Sequence, residues 1–134
     1  MQKKLILVSA PPGSGKTYVS MKLAENLKHV VYLDKDTLVP LSNVVFNVAN
    51  EPNDREGDFF EKNLRDVEYQ VILNMALEAL KYDDIVLINA PFTKEIHDLA
   101  YIQALRKELA EDYQAHLAIV WVICAVETVH QRMI

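Results

Sequence analysis

Short apolar runs alternate along this chain with longer stretches in which apolar residues recur at helical spacing. Four runs have the length and continuity of strands buried on both faces of a sheet, and they span residues 5–8, 30–33, 85–89 and 117–124. Helical patterns separate these runs, which predicts βαβ units, right-handed crossovers and a parallel sheet. The polarity pattern therefore predicts an α/β fold.

Helical periodicity is clearest in residues 16–28 and 59–82. The first stretch places Val19, Leu23 and Leu27 on one face, as expected of a helix that packs against a sheet. The second stretch predicts one long helix or two joined helices. Its predicted apolar stripe consists of Phe60, Leu64, Val67, Val71, Met75 and Leu80, widened by Ile72, Ala76 and Ala79.

Three other stretches complete the predicted secondary structure. A helix is predicted to begin at Thr93-Lys94-Glu95 and to end near Tyr113, and another is predicted over residues 126–134. Residues 37–58 contain two prolines and many asparagines and acidic residues. This composition predicts a loop with a short irregular helix.

Composition narrows the class of protein. The chain has 134 residues, of which 51% are hydrophobic and 25% charged, so we expect a single globular domain over residues 1–134. The net charge of -5 and the lack of a basic stripe argue against binding of long nucleic acid. One cysteine, Cys124, excludes a disulfide framework and fits a cytoplasmic location, and no run is long enough to span a membrane. The four histidines show no metal-ligand spacing.

Residues 9–17 read Ser-Ala-Pro-Pro-Gly-Ser-Gly-Lys-Thr between the first apolar run and the first helical stretch. This is the order of a phosphate-binding loop, in which glycines let backbone N–H groups surround phosphate oxygens. A lysine and a hydroxyl follow, and the helix N-terminus adds its dipole. The sequence departs from the motif at Ala10, where the motif has its first glycine.

Polar residues end two of the other predicted strands. Asp34 and Asp36 follow the run 30–33, and Asn89 ends the run 85–89. Open α/β sheets bind ligands at the carboxyl ends of their strands, so these residues are candidates for a site. Solvated turn residues remain the alternative for the two aspartates, and a hydrogen bond to the Pro91 turn remains the alternative for Asn89.

With these segments assembled, the chain resembles the P-loop kinases of small molecules. That group includes nucleoside-monophosphate, shikimate and gluconate kinases, polynucleotide kinase and the zeta toxins. The resemblance implies a three-layer α/β/α P-loop NTPase fold with a mainly parallel sheet of order 2-3-1-4, a fifth strand being absent. It also implies ATP and Mg²⁺ as cofactors, and transfer of the γ-phosphoryl of ATP to a small hydroxyl-bearing acceptor.

The resemblance also implies roles for individual residues. The implied catalytic residues are Lys16, Asp36 and Arg132. The implied nucleotide-binding residues are Pro12, Gly13, Ser14, Gly15, Lys16, Thr17 and Tyr18. The implied metal-binding residues are Thr17, Asp34 and Asn89, although the group often has an aspartate at the position of Asn89. An asparagine brings no negative charge there, so metal affinity or turnover is expected to fall.

Further expectations concern the regions around the site. Arg132 resembles the start of a mobile lid, and the chain then looks truncated before the lid and fifth strand of the group. An exposed sheet edge of that kind would favour pairing between copies of the chain. Arg55 and Arg65 lie where the group binds its acceptor, so either is a candidate for an anionic acceptor and equally for a surface role.

Two other functions stay open on the sequence alone. An NTPase that drives a partner would need a glutamate or glutamine to position water, and Ala90-Pro91-Phe92 follows the third strand instead. A nucleotide-binding regulatory module without turnover is favoured by Ala10 and Asn89. The acceptor and the base preference of the nucleotide cannot be read from these residues.

Overall fold

The structure is a computed structural model that describes residues 2–11 and 15–123. Within these residues four strands form one sheet in the order β2-β3-β1-β4, with every neighbouring pair parallel. The strands are β1 (Lys3–Ser9), β2 (Val30–Asp34), β3 (Ile85–Asn89) and β4 (Ala115–Trp121). Both the predicted α/β class and the predicted strand order 2-3-1-4 are confirmed.

Helices cover both faces of the sheet. They are α1 (Lys16–Asn26), α2 (Val39–Val48), α3 (Asp58–Asn63), α4 (Arg65–Leu80) and α5 (Leu99–Tyr113). Side chains alternate along β1, so Leu5 and Leu7 enter the core shared with α4 and α5, whereas Ile6 and Val8 enter the core beneath α1. This arrangement is the predicted three-layer α/β/α fold.

The prediction for residues 37–58 is wrong in part. A 3₁₀ turn over Lys35–Leu38 leads directly into the ten-residue helix α2, and irregular structure is confined to the segment after it. Pro40 lies in the first helical turn, where a proline is tolerated because no intrahelical N–H bond is lost. Phe46 is fully buried against Phe59 and Phe60. Tertiary packing of this aromatic cluster therefore stabilises a helix that local composition did not predict.

Residues 59–82 form two joined helices, one of the two predicted possibilities, but the predicted stripe is wrong at three positions. Val67, Val71 and Met75 are exposed. The buried face of α4 carries Ile72, Ala76 and Leu80, as predicted, together with Tyr69 and Leu77, which the prediction did not include. The break at Leu64 between α3 and α4 rotates the second helix relative to a continuous stripe, because Leu64 does not have helical dihedral angles.

Two further predictions are corrected near the end of the described chain. The helix predicted from Thr93 begins as a 3₁₀ turn over Glu95–His97, and α5 starts only where the Asp98 side chain accepts a hydrogen bond from Tyr101 N at 3.1 Å. The place of Trp121 inside the apolar run 117–124 predicts a core residue, but Trp121 is exposed because it ends β4, an edge strand of the described sheet.

Some predictions fall outside the described residues. These are the predictions for Cys124 and for the helix over residues 126–134. None of the helices that the structure describes is both long and apolar enough to cross a bilayer.

Candidate functional site

The segment between β1 and α1 leads the chain out of the sheet and into a helix N-terminus. Gly15 has φ 84° and ψ 25° and caps α1, a left-handed conformation that glycine adopts without strain. Lys16 and Thr17 follow as the first helical residues. Pro12, Gly13 and Ser14 lie outside the described residues, so their predicted contacts stay predictions.

Ala10, the departure from the motif, is buried. Its methyl group belongs to the apolar cluster beneath α1, together with Ile6, Val8 and Val122. The strand end is also fixed by polar contacts, since Ser9 O accepts from Val122 N at 2.9 Å and Ser9 Oγ donates to Pro91 O at 2.5 Å. The side chain of alanine thus adds packing where glycine would leave a gap.

Asn89 is almost fully buried at the end of β3 and joins three segments of the chain. Its Oδ1 accepts a hydrogen bond from Lys16 Nζ at 2.5 Å. Its Nδ2 lies 3.1 Å from Thr17 Oγ1, 3.1 Å from Tyr32 Oη and 3.2 Å from Asp34 Oδ2. An amide has two hydrogens, so these three oxygens share two donors. We call Lys16, Thr17, Tyr32, Asp34 and Asn89 the Asn89 cluster.

Lys16 meets a neutral amide in this cluster rather than a carboxylate. Burial is the largest influence on the Lys16 ammonium and lowers its pKa below the ordinary value. The nearby charges of Asp34 and Asp36 oppose that effect, and Lys35 adds to it. The ammonium is therefore partly desolvated and only partly compensated by negative charge.

The two aspartates after β2 have different environments. Asp34 Oδ1 accepts from Asp36 N at 2.9 Å and so caps the 3₁₀ turn that carries Asp36, while its Oδ2 faces Asn89. Asp36 itself is exposed. The Lys35 ammonium between them donates instead to Glu68 Oε1 at 2.9 Å.

One of the predicted residues, on α1, lies apart from the cluster. Tyr18, predicted to bind nucleotide, is exposed on α1, and the Lys22 ammonium lies 5.7 Å from the centre of its ring. Arg132, predicted as the lid residue, lies outside the described residues.

Tyr32 belongs to the cluster although the sequence prediction missed it. Its hydroxyl lies 3.4 Å from Asp34 Oδ2 as well as beside Asn89, and burial raises the pKa of the phenol. Tyr32 and Asp34 are two residues apart on β2, so they point to the same face of the sheet. That spacing is the signal by which the sequence indicates Tyr32.

Arg65, a candidate for an anionic acceptor, is engaged within the protein. Its guanidinium donates to both oxygens of Glu95, at 2.8 and 3.0 Å, and lies 4.5 Å from the ring centre of Tyr69. Hydrogen bonding to Glu95 raises the pKa of Arg65 despite burial. The prediction that Arg65 is either free for an acceptor or a surface residue does not fit this buried, bidentate pair.

Arg55 is also paired, but less completely. Its Nη2 donates to Glu68 Oε1 at 2.6 Å, and Glu68 accepts further bonds from Lys35 and from Ser42 Oγ. We call Lys35, Ser42, Arg55 and Glu68 the Glu68 network. Arg55 Nη1 is buried and has no hydrogen-bond partner in the part of the chain that the structure describes.

The donor set of the Asn89 cluster suits a hard cation. The hydroxyl of Thr17 and the carboxylate of Asp34 offer the oxygen ligands that Mg²⁺ prefers, directly or through water, and Asn89 adds an amide oxygen that at present faces Lys16 while its nitrogen faces the other two groups. The N-terminus of α1 beside them suits an anion, because no acidic residue lies in its first turn. The sheet order and the helix that starts directly after β1 are those of an α/β protein of the P-loop class.

Comparison with known proteins then assigns the family. A family model described as an AAA domain matches residues 5–134, so the chain belongs to the AAA domain family. A comparison with curated proteins finds no match.

Solved structures share the fold. A chain of the Pnkp1/Rnl/Hen1 RNA repair complex aligns with a TM-score of 0.61 and 19% identity, over 98% of this chain and 36% of that one. A gluconokinase from Sinorhizobium meliloti 1021 gives 0.56 and 20%, over 97% of this chain and 63% of that one. A shikimate kinase from Acinetobacter baumannii in complex with shikimate gives 0.52 and 23%, over 99% and 63%.

These likenesses confirm the predicted resemblance to P-loop kinases of small molecules at the level of the fold. The chain spans between 36% and 63% of the length of those three structures. Identities this low do not carry over a substrate.

Proposed function

We propose that this chain binds ATP with Mg²⁺ at the carboxyl end of β1 and transfers the γ-phosphoryl group to a hydroxyl of a small molecule. The observation that carries the proposal is the convergence of Lys16, Thr17 and Asp34 on Asn89, directly after a phosphate-loop sequence. Two similar structures are kinases of small hydroxyl compounds by their names, gluconokinase and shikimate kinase.

In this proposal the start of α1 binds the phosphates. Backbone N–H groups of Gly13, Ser14 and Gly15, with those of Thr17 and Tyr18, would face the phosphate oxygens, and Pro12, which has no N–H, would shape the start of the loop. Lys16 approaches the terminal phosphates, where its partial burial strengthens its attraction for negative charge. Bound Mg²⁺, held by Thr17, Asp34 and Asn89 directly or through water, would neutralise part of the phosphate charge.

Asp36 is the proposed acceptor-side residue. The acceptor oxygen forms a bond to the γ-phosphorus, the bond from that phosphorus to the bridging oxygen of ADP breaks, and the acceptor proton passes to the Asp36 carboxylate. The exposure of Asp36 and the engagement of Lys35 by Glu68 support this role, because the carboxylate is not neutralised by its neighbour. Arg55 Nη1 is the donor we propose for a polar group of the acceptor. Arg132 is proposed to add positive charge over the phosphates.

A nucleotide-binding module without turnover is the second candidate, and a specific observation favours it. Asn89 replaces a possible carboxylate with an amide, and that amide already faces Lys16 and Asp34. An NTPase is less well supported. Glu95, the first glutamate after β3, is held by both of its oxygens on Arg65 and so is poorly placed to orient water.

The proposal is tested by calorimetric titration of ATP with Mg²⁺ into the wild type, Lys16→Ala and Lys22→Ala, followed by an assay of ADP release with a panel of sugar acids and polyols. Lys22 is the matched control because it lies on the same helix in an exposed pair with Glu25. We expect Lys16→Ala to weaken binding by about 1.5 to 3 kcal/mol, the range for hydrogen bonds to charged groups, and Lys22→Ala to change little.

The outcomes separate the candidates. Acceptor-dependent ADP release that Asp36→Asn abolishes supports the kinase. Binding without release under any condition supports the regulatory module. If neither the wild type nor Lys16→Ala binds nucleotide, both the kinase and the regulatory module are wrong.

A further inference from the structure

Three potential metal ligands lie at the amino-terminal ends of β2 and β3, at the opposite end of these strands from the Asn89 cluster. His29 directly precedes β2, and Asp83 and Asp84 directly precede β3. One ring nitrogen of His29 and one carboxylate oxygen from each aspartate all lie within 4.8 Å of one another. Each strand has five residues at about 3.3 Å apiece, so this group lies roughly 15 Å from the phosphate site.

The sheet register brings these side chains together. Val30 pairs with Ile85 across the parallel strands, so the residues that precede them also become neighbours. Ile85 N donates to His29 O at 3.1 Å, and Lys4 N donates to Asp84 O at 2.9 Å. Asp83 Oδ1 accepts from Asp84 N at 2.8 Å, which fixes the direction of that carboxylate. Backbone hydrogen bonds thus hold all three residues in place before any ligand binds.

The carboxylates of Asp83 and Asp84 have no salt-bridge partner among the described residues. Two adjacent carboxylates without a cationic partner repel each other. A divalent cation would relieve that repulsion and would use the imidazole as a third ligand.

The donor chemistry selects the cation. One imidazole nitrogen and two carboxylate oxygens suit Zn²⁺ and the neighbouring first-row ions, whereas Mg²⁺ favours oxygen ligands and keeps its waters. Bonds of about 2.1 Å would place the donors roughly 3 to 4 Å apart, so modest side-chain rotation closes the site. We propose that His29, Asp83 and Asp84 form a site for one divalent transition-metal ion of the Zn²⁺ class.

A metal ion at this site would stabilise the pairing of β2 with β3. β2 lies at one edge of the described sheet and pairs only with β3 there, yet it carries Asp34 at its far end. An ion that joins the starts of β2 and β3 would stabilise the strand without contacting the phosphate site. The inference therefore does not depend on the proposed kinase function.

The test uses the untagged chain in a Cys124→Ser background, because a thiol elsewhere would also bind Zn²⁺. Zn²⁺ is titrated calorimetrically without nucleotide, and the absorption spectrum of added Co²⁺ reports the ligand type. His29→Asn and Asp84→Asn are the test variants. Asparagine tolerates the positive φ of His29 (56°), so that variant removes the imidazole with little backbone strain. His116→Asn, on the exposed side of β4, is the matched control.

We expect one equivalent of Zn²⁺ to bind and each test variant to lose at least about tenfold in affinity, with His116→Asn unchanged. Zn²⁺ should also raise the melting temperature of the background protein but not of the two test variants, as expected for a ligand that binds only the folded state. Circular dichroism confirms that the variants fold. Zn²⁺ binding that survives both substitutions, or no binding in the millimolar range, would overturn the proposal.

Discussion

The Asn89 cluster and the Glu68 network differ in how their buried groups balance charge. Glu68 is 4% exposed, yet it accepts hydrogen bonds from Lys35, Ser42 and Arg55. Asn89 is 1% exposed, and its neutral amide is the group that meets the Lys16 ammonium. The negative charge of Glu68 is therefore paired with cationic partners within the protein. The Lys16 ammonium, in contrast, contacts a neutral amide and has no carboxylate at hydrogen-bond distance among the described residues.

The pKa shifts follow this difference. Burial works to raise the pKa of Glu68, but Arg55, Ser42 and Lys35 together outweigh it and the pKa falls. For Lys16 burial prevails and the pKa also falls, although that direction now disfavours the charged form. The comparison teaches that the first group stabilises the fold, while the second is prepared to attract an anion.

The largest expected effect is on folding and comes from Glu68→Gln. The variant leaves the buried Lys35 and the half-buried Arg55 without their carboxylate, so we expect a loss of about 3 to 5 kcal/mol in the free energy of unfolding. Urea unfolding measures it. Glu25→Gln, which removes an exposed partner of Lys22, should change stability by no more than about 0.5 kcal/mol. Similar losses of stability in Glu68→Gln and Glu25→Gln would contradict the conclusion that the buried Glu68 network stabilises the fold.

The same network predicts a pH dependence. The folded pKa of Glu68 lies below its unfolded value, so its contribution is present above the unfolded pKa and is lost as the pH falls through the folded one. Glu68→Gln should therefore flatten the acid limb of the stability curve. If the acid limb is the same in Glu68→Gln and the wild type, other carboxylates are responsible for the loss of stability at low pH.

Tyr69 provides the next largest effect, at alkaline pH. Burial is the main cause that raises the pKa of Tyr69 to about 12, from an ordinary value of 10.0. Because the folded state holds this proton more tightly, stability is complete below pH 10.0 and declines as the pH rises towards 12, by at most about 3 kcal/mol.

Unfolding of the wild type and Tyr69→Phe across this range measures the decline. Tyr69→Phe should show a smaller decline in stability over this pH range. Its stability below pH 10.0 should also be lower than that of the wild type, because Phe92 N loses its acceptor at 2.9 Å. Burial also raises the pKa values of Tyr32 and Tyr101, so a smaller decline of the same sign should remain. A wild type that is indifferent to pH in this range would contradict the prediction.

Asn89→Asp should move the Asn89 cluster towards a charged centre. The new carboxylate would face Asp34 Oδ2 where an amide hydrogen now lies, at a cost to stability of about 1 to 2 kcal/mol that Lys16 partly offsets. Mg²⁺ should restore this loss and should raise the melting temperature of the variant more than that of the wild type. Asn74→Asp, exposed on α4, is the control. Equal responses to Mg²⁺ would argue that no cation binds at this strand end.

Sequence alone predicted the parts of the molecule in which local pattern and tertiary packing agree. The continuous apolar runs gave all four strands, and the loop sequence placed Lys16 and Thr17 at the start of α1. Prediction from the sequence failed where contacts between residues far apart in the chain determine secondary structure or burial. α2 forms because Phe46 packs against residues of α3, and Arg65 is buried because Glu95, thirty residues later, receives it.

The smallest predicted effect lies directly beside the largest. Val67 is 56% exposed and Glu68 is 4% exposed, so two adjacent residues of α4 reverse the usual relation between polarity and burial. Periodicity assigned Val67 to the core because valine is apolar, whereas the buried face of α4 carries Glu68 together with apolar residues such as Tyr69 and Ile72. Val67→Gln should therefore change the free energy of unfolding by no more than about 0.5 kcal/mol.

Glu68→Gln should cost several times more because it removes a buried charge partner, and Ile72→Ala on the buried face should cost about 2 to 5 kcal/mol. Urea unfolding of the three variants compares them directly. A large loss for Val67→Gln would mean that this valine is covered in solution and that the buried face of α4 is wider than described. A small loss for Val67→Gln alongside large losses for Glu68→Gln and Ile72→Ala would confirm that the buried face of α4 carries Glu68 and Ile72 and that Val67 lies outside it.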